Sequence, residues 1–387
     1  MKTLNNISRF IVGVVFIFSG FVKAIDPLGS TYKFVDYFEA FGLDAISFIA
    51  FPMAILLSSL EFVIGFSLLF STRRKTTSWA LLIFMSFFTV LTFILAIFNP
   101  VTDCGCFGDA IIMTNWQTFY KNIFLMIFTL IVFYNRNNFE ISWNVQKQWF
   151  FISIPLIFSI LISVYCYNNL PIIDFRPYNV GTYIPEKMII PEDAPRAKYE
   201  TILVYQKDGI EQEFTMENLP DSTWEWVSTE NKLISEGYVP PIHDFTISTS
   251  LGNDITEVVL NDNKFTFLLI SYDLNKANKK HMDEINDLAL SLEESGVCNF
   301  ICLTSSLDED IDRFKAETNA IYLFFNTDEI TLKTMIRANP GIVLLKQGTI
   351  LNKWHYKNTP SYEEIKKDFI ENPEFKNQVA PDGDIPS

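Results

Sequence analysis

The feature that most constrains this chain is a series of five apolar segments within its first 170 residues. A helix needs roughly 20 apolar residues to cross the hydrocarbon core of a bilayer, and these segments reach or approach that length. They cover residues 10–24, 48–70, 79–98, 119–134 and 149–167. Lys23 and Asp26 stand where a signal peptide would carry small residues for cleavage, which indicates a retained first helix. The front of the chain therefore predicts an α-helical bundle in a lipid bilayer.

The balance of acidic and basic residues also changes near residue 170. Residues 1–170 contain 10 of the 30 Lys and Arg residues and 8 of the 45 Asp and Glu residues, so the net charge of −15 comes from the remainder. The remaining 217 residues are enough to form a core of their own in water. Their acidic balance excludes nucleic acid as a partner, because phosphate binding needs a basic surface.

The basic residues near the apolar segments predict the orientation, since Lys and Arg collect in cytoplasmic loops. They lie before the first segment, after the second, and between the fourth and fifth: Lys2, Arg9, Arg73, Arg74, Lys75, Arg136 and Lys147. The loops around residues 26–44 and 100–118 then lie on the opposite side. Five spans place everything after Asn168 outside the cytoplasm. We expect a multi-pass protein of the bacterial inner membrane, with a cytoplasmic N-terminus and a periplasmic C-terminal domain.

The back half alternates strand and helix patterns. Residues 200–206 and 210–215 predict a hairpin. Residues 171–241 as a whole predict a linker with a small β-containing region, whose fold the sequence does not determine. From His243 the pattern becomes β-α-β-α, and an α/β layer fold follows. The predicted strands are 265–271, 298–304, 321–325, 342–346 and 349–354, and the predicted helices are 279–294, 308–318, 329–337 and 362–369. The residues 372–387, with three prolines, predict a disordered tail.

Two of the five cysteines form a Cys-Gly-Cys sequence at the outer end of the third apolar segment. Gly105 permits the tight turn that would bring Cys104 and Cys106 together, and a small strained disulfide is the exchangeable kind. Asp103 and Asp109 should disfavour a thiolate, because they add negative charge. A structural disulfide is the alternative. A zinc site needs four ligands, and residues 1–242 contain no histidine, so no metal is expected.

The other three cysteines have simpler explanations. Cys166 lies near the outer end of the fifth segment, where it is either a resolving thiol or, as we favour, a small core residue. Cys298 and Cys302 are four residues apart on one face of a predicted strand, about 13 Å from each other. That separation is beyond the reach of a disulfide, so both are expected in a core.

Two ionisable residues lie in or near the predicted membrane helices. Glu61 is inside the second segment and Lys23 is at the outer end of the first. A charge at such depth is costly and usually faces a partner or a cavity. The two therefore mark either a proton or ligand site, or an interhelical polar contact. The lack of histidine in these helices also argues against haem with paired His ligands.

Four motifs in residues 1–137 resemble the DoxX/MauE superfamily, in particular the methylamine-utilisation MauE and redox-associated membrane proteins. The motifs are FSGFVKAIDP at 18–27, Glu61 with Gly65, CGCFGD at 104–109, and Asn115-Trp116. The resemblance implies a four-helix membrane bundle, with residues 148–168 as a fifth transmembrane helix. It also implies a role in disulfide formation or maturation of exported proteins, with Cys104 and Cys106 as the redox pair. Broader DoxX relatives imply a quinone as the candidate cofactor.

Residues 242–370 resemble a thioredoxin-like domain of the TlpA or peroxiredoxin type. The resemblance rests on DFTI at 244–247, the strand that leads into SYDL at 271–274, and Asn339-Pro340-Gly341, in which Pro340 would be the cis-proline of the fold. Where relatives carry Cys-x-x-Cys, this chain has Asn275 and Asn278 at the two cysteine positions. Without thiols, dithiol chemistry in this domain is excluded, and a binding role beside Pro340 remains.

Three functions are compatible with these patterns. The first is a membrane thiol–disulfide oxidoreductase, in which Cys104 and Cys106 exchange electrons with exported client proteins while the thioredoxin-like domain holds the client. The second is a non-enzymatic assembly or scaffold protein with a structural disulfide. The third is a quinone-linked or small-molecule role around Glu61.

Overall fold

The computed structural model describes residues 2–137, 144–196, 198–207, 209–216, 218–235 and 237–376. Within these residues, five helices are long and apolar enough to cross a membrane, as the sequence predicted. They are α1 (Lys2–Ile25), α3 (Ala50–Leu69), α4 (Arg74–Phe98), α5 (Asn115–Tyr134) and α6 (Val145–Asn168). The protein is therefore a multi-pass membrane protein with an α-helical bundle at its front.

A further helix, α2 (Pro27–Ala40), was not predicted from the sequence, which left this stretch as part of a loop. It begins immediately after α1, because Pro27 suits the first turn of a helix and the Asp26 carboxylate accepts a hydrogen bond from the backbone N–H of Gly29, at 2.9 Å. A 3₁₀ turn, Asp44–Ile49, connects α2 to α3. This helix forms one wall of the site described below.

Helices α1 and α3 pack closely along the bundle because glycines face each other there. A Cβ atom at Gly20 would lie 2.6 Å from the backbone nitrogen of Phe62, and one at Gly65 would lie 2.7 Å from that of Ile17. Small residues of this kind let two membrane helices approach until their backbones touch. The close approach places Lys23 of α1 beside Glu61 of α3.

The C-terminal domain is built on a five-stranded sheet in the order β6-β5-β4-β7-β8. The strands are β4 (Phe265–Ile270), β5 (Cys298–Thr304), β6 (Leu323–Asn326), β7 (Gly341–Lys346) and β8 (Thr349–His355). Strands β4, β5 and β6 are parallel, whereas β7 pairs antiparallel with β4 and β8 antiparallel with β7. The peptide bond before Pro340, just ahead of β7, is cis. The α/β fold and the thioredoxin-like arrangement predicted from the sequence are confirmed.

Helices cover both faces of this sheet. They are α8 (Thr256–Leu260), α9 (Met282–Glu294), α10 (Asp308–Thr318), α11 (Glu329–Met335) and α12 (Tyr362–Ile365), which continues as a π-helical turn, Lys366–Ile370. All six residues of β4 are buried, and alternate ones point to opposite sides, as a strand requires. Phe267 packs against α9 and α10, whereas Leu268 packs against α11.

Residues 171–241, whose fold the sequence left open, contain two parts. The first includes α7 (Ile184–Met188) and packs Tyr178 and Ile184 into the core of the thioredoxin-like domain. The second is an antiparallel sheet in the order β2-β1-β3, formed by β1 (Lys198–Lys207), β2 (Ile210–Thr215) and β3 (Glu225–Ser235). The hairpin predicted over 200–215 is confirmed by the register of β1 on β2.

The end of the chain only partly falls within the described residues. A short helix, α13 (Pro373–Lys376), follows the last turn of the domain, with Phe375 packed on Phe369 at 5.4 Å between ring centroids. Residues 377–387 of the predicted disordered tail lie outside the described part of the chain.

Candidate functional site

The Cys-Gly-Cys loop lies between α4 and α5 and brings its two sulfurs together. Gly105 adopts a positive φ of 64°, the left-handed conformation that glycine takes without a Cβ clash. The Sγ atoms of Cys104 and Cys106 are 2.8 Å apart, and the first is buried while the second is partly exposed. A short movement of the loop would bring them to the 2.05 Å of a disulfide bond. The positions of the two sulfurs are therefore compatible with a disulfide between them.

The charges around the two thiols differ from the expectation based on the neighbouring aspartates. Asp103 forms an ion pair with Lys33 of α2 at 2.6 Å, so its negative charge is compensated. The pKa of Cys106 is lowered, first by the hydrogen bond from the Cys104 thiol and then by the positive charges of Lys121 and Lys23, although burial acts against this. The same hydrogen bond and burial raise the pKa of Cys104. Cys106 is therefore the thiol that ionises first, and a thiolate is favoured at this site.

Lys23 and Glu61 form an ion pair with each other inside the bundle, at 2.7 Å, with both side chains about 7% exposed. The Ser19 hydroxyl lies between this pair and the cysteine loop. It is 2.8 Å from Oε2 of Glu61 and 2.7 Å from the backbone carbonyl oxygen of Cys106, and it accepts a hydrogen bond from Lys23 at 2.9 Å. The structure thus shows the interhelical polar contact, with only the Ser19 hydroxyl between it and the thiol loop, whereas a proton or ligand site stays a prediction.

A cavity of about 520 Å³ reaches from the cysteine loop into the apolar part of the bundle. Its upper end contains both cysteines, Lys23 and Glu61, while its walls are aliphatic and aromatic side chains of α1 to α5. Leu56 of α3 and Phe87 of α4 line it and are 67% and 62% exposed, on the surface that faces lipid. The cavity therefore connects the thiol pair with the membrane interior, and its volume suits a small organic molecule.

The remaining cysteines behave as core residues. Cys298 and Cys302 are buried in the cluster that packs β5 against α9 and α10, with 3% and 0% of their surface exposed, which confirms the sequence-based assignment. Burial raises the pKa of Cys302 well above its usual range, so it is an inert thiol. Cys166 is buried on α6 at 1% exposure, as expected of a small packing residue.

The face of the thioredoxin-like domain that includes the former cysteine positions makes its hydrogen bonds internally. The backbone N–H of Asn278 donates to the carbonyl of Asn339, at 2.9 Å, and so ties this segment to the turn that contains Pro340. The side-chain oxygen of Asn275 accepts a hydrogen bond from Arg313 at 3.3 Å. Asn275 and Asn278 are therefore both held by hydrogen bonds within the domain.

The same face of the domain lies against the membrane bundle. Arg337, three residues before Pro340, donates hydrogen bonds to Asp26 at 3.0 Å and to Asp109 of the cysteine motif at 2.9 Å. The hydroxyls of Tyr272, directly after β4, and Tyr32 of α2 are 3.3 Å apart. The thiol loop and the thioredoxin-like domain therefore occupy the same end of the bundle.

Several residues of the site were missed by sequence reasoning: Ser19, Lys33, Tyr37, Lys121 and Arg337. Of these, Lys121 had a usable signal, since it is a charge near the end of an apolar helix. Arg337 had none, because its partners are 311 and 228 positions away along the chain. The Tyr37 hydroxyl donates to the Cys104 carbonyl at 2.8 Å, a contact that depends on the unpredicted helix α2.

Comparison with protein families finds a similarity for the membrane part of the chain. Residues 1–135 match the family described as Methylamine utilisation protein MauE. The membrane bundle is MauE-like. The cysteine loop, Lys23 and Glu61 all lie within the matched residues. A second match, over residues 199–236, is to the family described as Domain of unknown function (DUF8463), and it covers most of the β1–β3 sheet.

Comparison with solved structures finds a solution structure of a candidate protein disulfide isomerase from Bacteroides thetaiotaomicron. It is 19% identical, covers 32% of this chain and 82% of its own, and has a TM-score of 0.27. No curated protein matches the chain. The thioredoxin-like assignment of the domain beside the MauE-like bundle rests on the strand order and directions given above.

Proposed function

We propose that this protein is a membrane thiol–disulfide oxidoreductase that oxidises exported proteins through Cys104 and Cys106. The observation that carries the proposal is the 2.8 Å approach of the two sulfurs in a loop where positive charge favours a thiolate. The orientation inferred from the basic loops supports it, because it places this loop in an oxidising compartment outside the cytoplasm of a bacterial inner membrane.

The exchange would proceed in two steps. A client thiolate attacks one sulfur of the Cys104–Cys106 disulfide, forming a mixed disulfide and releasing the other cysteine as a thiolate. A second client thiolate then attacks the client sulfur, so the client gains a disulfide and the pair is left reduced by two electrons. Because Cys106 has the lower pKa of the pair, it is the better leaving group when the first bond breaks.

The reduced pair needs an acceptor for two electrons and two protons, and the cavity beneath it fits a quinone. Its aromatic and aliphatic walls suit an isoprenoid-bearing ring, and its polar end offers Ser19, Lys23 and Glu61 for carbonyl oxygens and protons. A bound quinone would supply the two-electron oxidant that restores the disulfide. Since the wall at Leu56 and Phe87 is open toward lipid, such a molecule can enter from the bilayer.

Thiol trapping in membranes tests the oxidoreductase. Membranes carrying the wild-type protein are treated with reductant or oxidant and then labelled with a maleimide of high mass under denaturing conditions. We expect two additional labels after reduction in the wild type, and no such difference in the double variant Cys104→Ser, Cys106→Ser. Single variants should accumulate mixed disulfides with exported proteins. If the labelling of the wild type is the same after both treatments, the redox role is wrong.

A cavity-filling variant tests the acceptor separately. Leu57→Trp places an indole in the cavity, whereas Ile83→Trp adds one to the lipid-facing side of α4, where the residue is 64% exposed. With a short-chain quinone as oxidant, we expect at least about a tenfold slower reoxidation of the pair in the first variant only, a barrier change of about 1.4 kcal/mol. Oxidation by diamide, a water-soluble reagent, should stay unchanged in both. Equal quinone rates would contradict the cavity as the acceptor site.

A scaffold function is the second candidate, and one observation favours it. The face of the thioredoxin-like domain beside Pro340 is turned toward the chain's own bundle through Arg337 and Tyr272. In this alternative the pair forms a permanent structural disulfide. The double cysteine-to-serine variant would then correct every defect when it is expressed in a deletion strain. If the protein is an oxidoreductase, the same variant should correct none of them.

A further inference from the structure

Arg337 is the residue that joins the thioredoxin-like domain to the thiol loop. Its side chain is about 7% exposed, and each of its three guanidinium nitrogens donates a hydrogen bond. Nε lies 3.1 and 3.0 Å from the two carboxylate oxygens of Asp26, Nη2 lies 2.9 Å from Asp109, and Nη1 donates to the backbone carbonyl of Lys333. One cation thus holds a carboxylate from the end of α1 and another from the cysteine motif.

The surroundings are shaped for this contact. A Cβ atom at Gly29 would lie against the Asp26 carboxylate and 2.7 Å from Nη2 of Arg337, so a larger residue at the start of α2 would displace this ion pair. The aromatic ring of Tyr32 covers it from the other side, with its centroid 5.4 Å from the Arg337 Cζ atom. Burying a cation among several polar groups has a free-energy cost, since each group loses its hydration.

Asp109 transmits this contact to the cysteines, because it is three residues from Cys106 in one short turn. The carbonyl of Gly105 accepts a hydrogen bond from the N–H of Gly108 at 3.1 Å, and the turn Gly108–Ala110 follows directly. The loop is otherwise fixed from within the bundle, at Asp103 by Lys33 and at the Cys106 carbonyl by Ser19. Arg337 is thus the anchor of the loop that comes from outside the membrane part.

We propose that Arg337 is a positioning residue of the thiol site, with which the thioredoxin-like domain holds the Cys104–Cys106 loop in the geometry needed for exchange. The inference rests on the oxidoreductase function proposed above and deepens it. The domain, which carries no thiols at its own former active site, serves as a part of the membrane protein's redox site. By linkage, the redox state of the pair and the docking of the domain must then influence each other equally.

The test compares the dithiol–disulfide equilibrium of four forms of the full-length protein in detergent, titrated with glutathione buffers and read by maleimide labelling. The forms are the wild type, Arg337→Gln, Asp109→Asn and the double variant. We expect each single change to shift the equilibrium constant about three- to tenfold, the range for residues in direct contact, and the double variant to shift it no further. Arg337→Lys should restore part of the shift.

Two controls separate positioning from general damage. Lys346 is buried to a similar extent as Arg337 in the same domain, but its ammonium group donates to the backbone carbonyl of Phe375, so Lys346→Gln should leave the equilibrium unchanged. Hydrogen exchange should accelerate at residues 103–110 in Asp109→Asn, a variant that leaves the thioredoxin-like domain intact. Equal equilibrium constants in all forms, or the same shift with Lys346→Gln, would overturn the proposal. A wild-type pair that does not titrate at all refutes the oxidoreductase itself, which distinguishes the two failures.

Discussion

At the scale of single residues, the balance of charge around Cys106 decides what the thiol pair can do. Two aspartates flank the pair in sequence, yet Asp103 is paired with Lys33, and Asp109 shares Arg337 with Asp26. The cations that act on Cys106 come from two helices: Lys23 from α1 and Lys121 from α5. Since a nearby positive charge stabilises a thiolate, the local field reverses the effect expected from the sequence neighbours.

The field of Lys121 gives a pH-dependent prediction. The thiolate of the reduced pair should form at a lower pH than an ordinary cysteine, whose pKa is about 8.5. In Lys121→Gln the stabilising charge is lost, so the pKa of Cys106 should rise and the midpoint of iodoacetamide labelling should move to higher pH. Labelling rates of reduced protein across pH measure this. Lys75→Gln, at the opposite end of the bundle, is the control, and a midpoint unchanged by Lys121→Gln would contradict the assignment.

The Lys23–Glu61 pair allows stability and function to be separated. Removing one member should destabilise the bundle by about 3 kcal/mol, because it leaves a buried charge without a partner. Replacing both by methionine should restore most of this stability, since an apolar pair of similar size avoids desolvation. Thermal unfolding in detergent measures the change in stability, and quinone-dependent reoxidation of the thiols measures the change in function. Full reoxidation by the double variant would show that the pair is structural alone.

At the scale of elements, the contact between α1 and α3 places the site. Gly20 and Gly65 remove two side chains from this contact, and the backbones meet as a result. Lys23 lies on α1 one turn beyond Ser19, so the same helix face that touches α3 carries both polar groups to Glu61. Ser19, Lys23 and Glu61 line one end of the cavity, to which α4 and the unpredicted helix α2 also contribute walls.

A bulky side chain at this contact should damage the bundle. Gly20→Val would force Cβ against the backbone of Phe62, and overpacking of this kind costs about 1 to 3 kcal/mol or more. We expect a lower melting temperature in detergent together with slower oxidation of the pair, because Lys23 and Glu61 move apart. Val14→Leu, at a lipid-facing position of the same helix with 43% exposure, should change neither. A melting temperature unaffected by Gly20→Val would contradict the close packing.

At the scale of the whole molecule, the chain is divided between two solvents. The bundle meets lipid with apolar side chains, whereas the acidic α/β domain meets water and docks on one end of the bundle. The cysteine loop follows the third span and the thioredoxin-like domain follows the fifth, so both lie at the end of the bundle opposite the N-terminus. The bundle supplies the thiols, and the domain supplies a contact to the loop that carries them.

The orientation of the whole molecule can be measured by accessibility in intact cells. In a variant without other exposed thiols, a cysteine at Leu251, which is 89% exposed in the soluble domain, should react with a membrane-impermeant maleimide. A cysteine at Lys75, in the first turn of α4, should react only after the membrane is permeabilised. The reverse pattern would place the thiol loop in the cytoplasm and remove the oxidising compartment from the proposed function.

The sequence by itself determined the membrane helices, the acidic α/β domain and the identity of the thiol pair. These features depend on local properties: runs of apolar residues, alternation along strands, and a glycine between two cysteines. Tertiary structure alone decided the charges at the site, because Lys121, Lys33 and Arg337 reach it from three separate elements. It also decided the cavity and the docking of the domain, since both depend on how helices and domains pack. Such contacts join positions as far as 311 residues apart, and no local pattern records them.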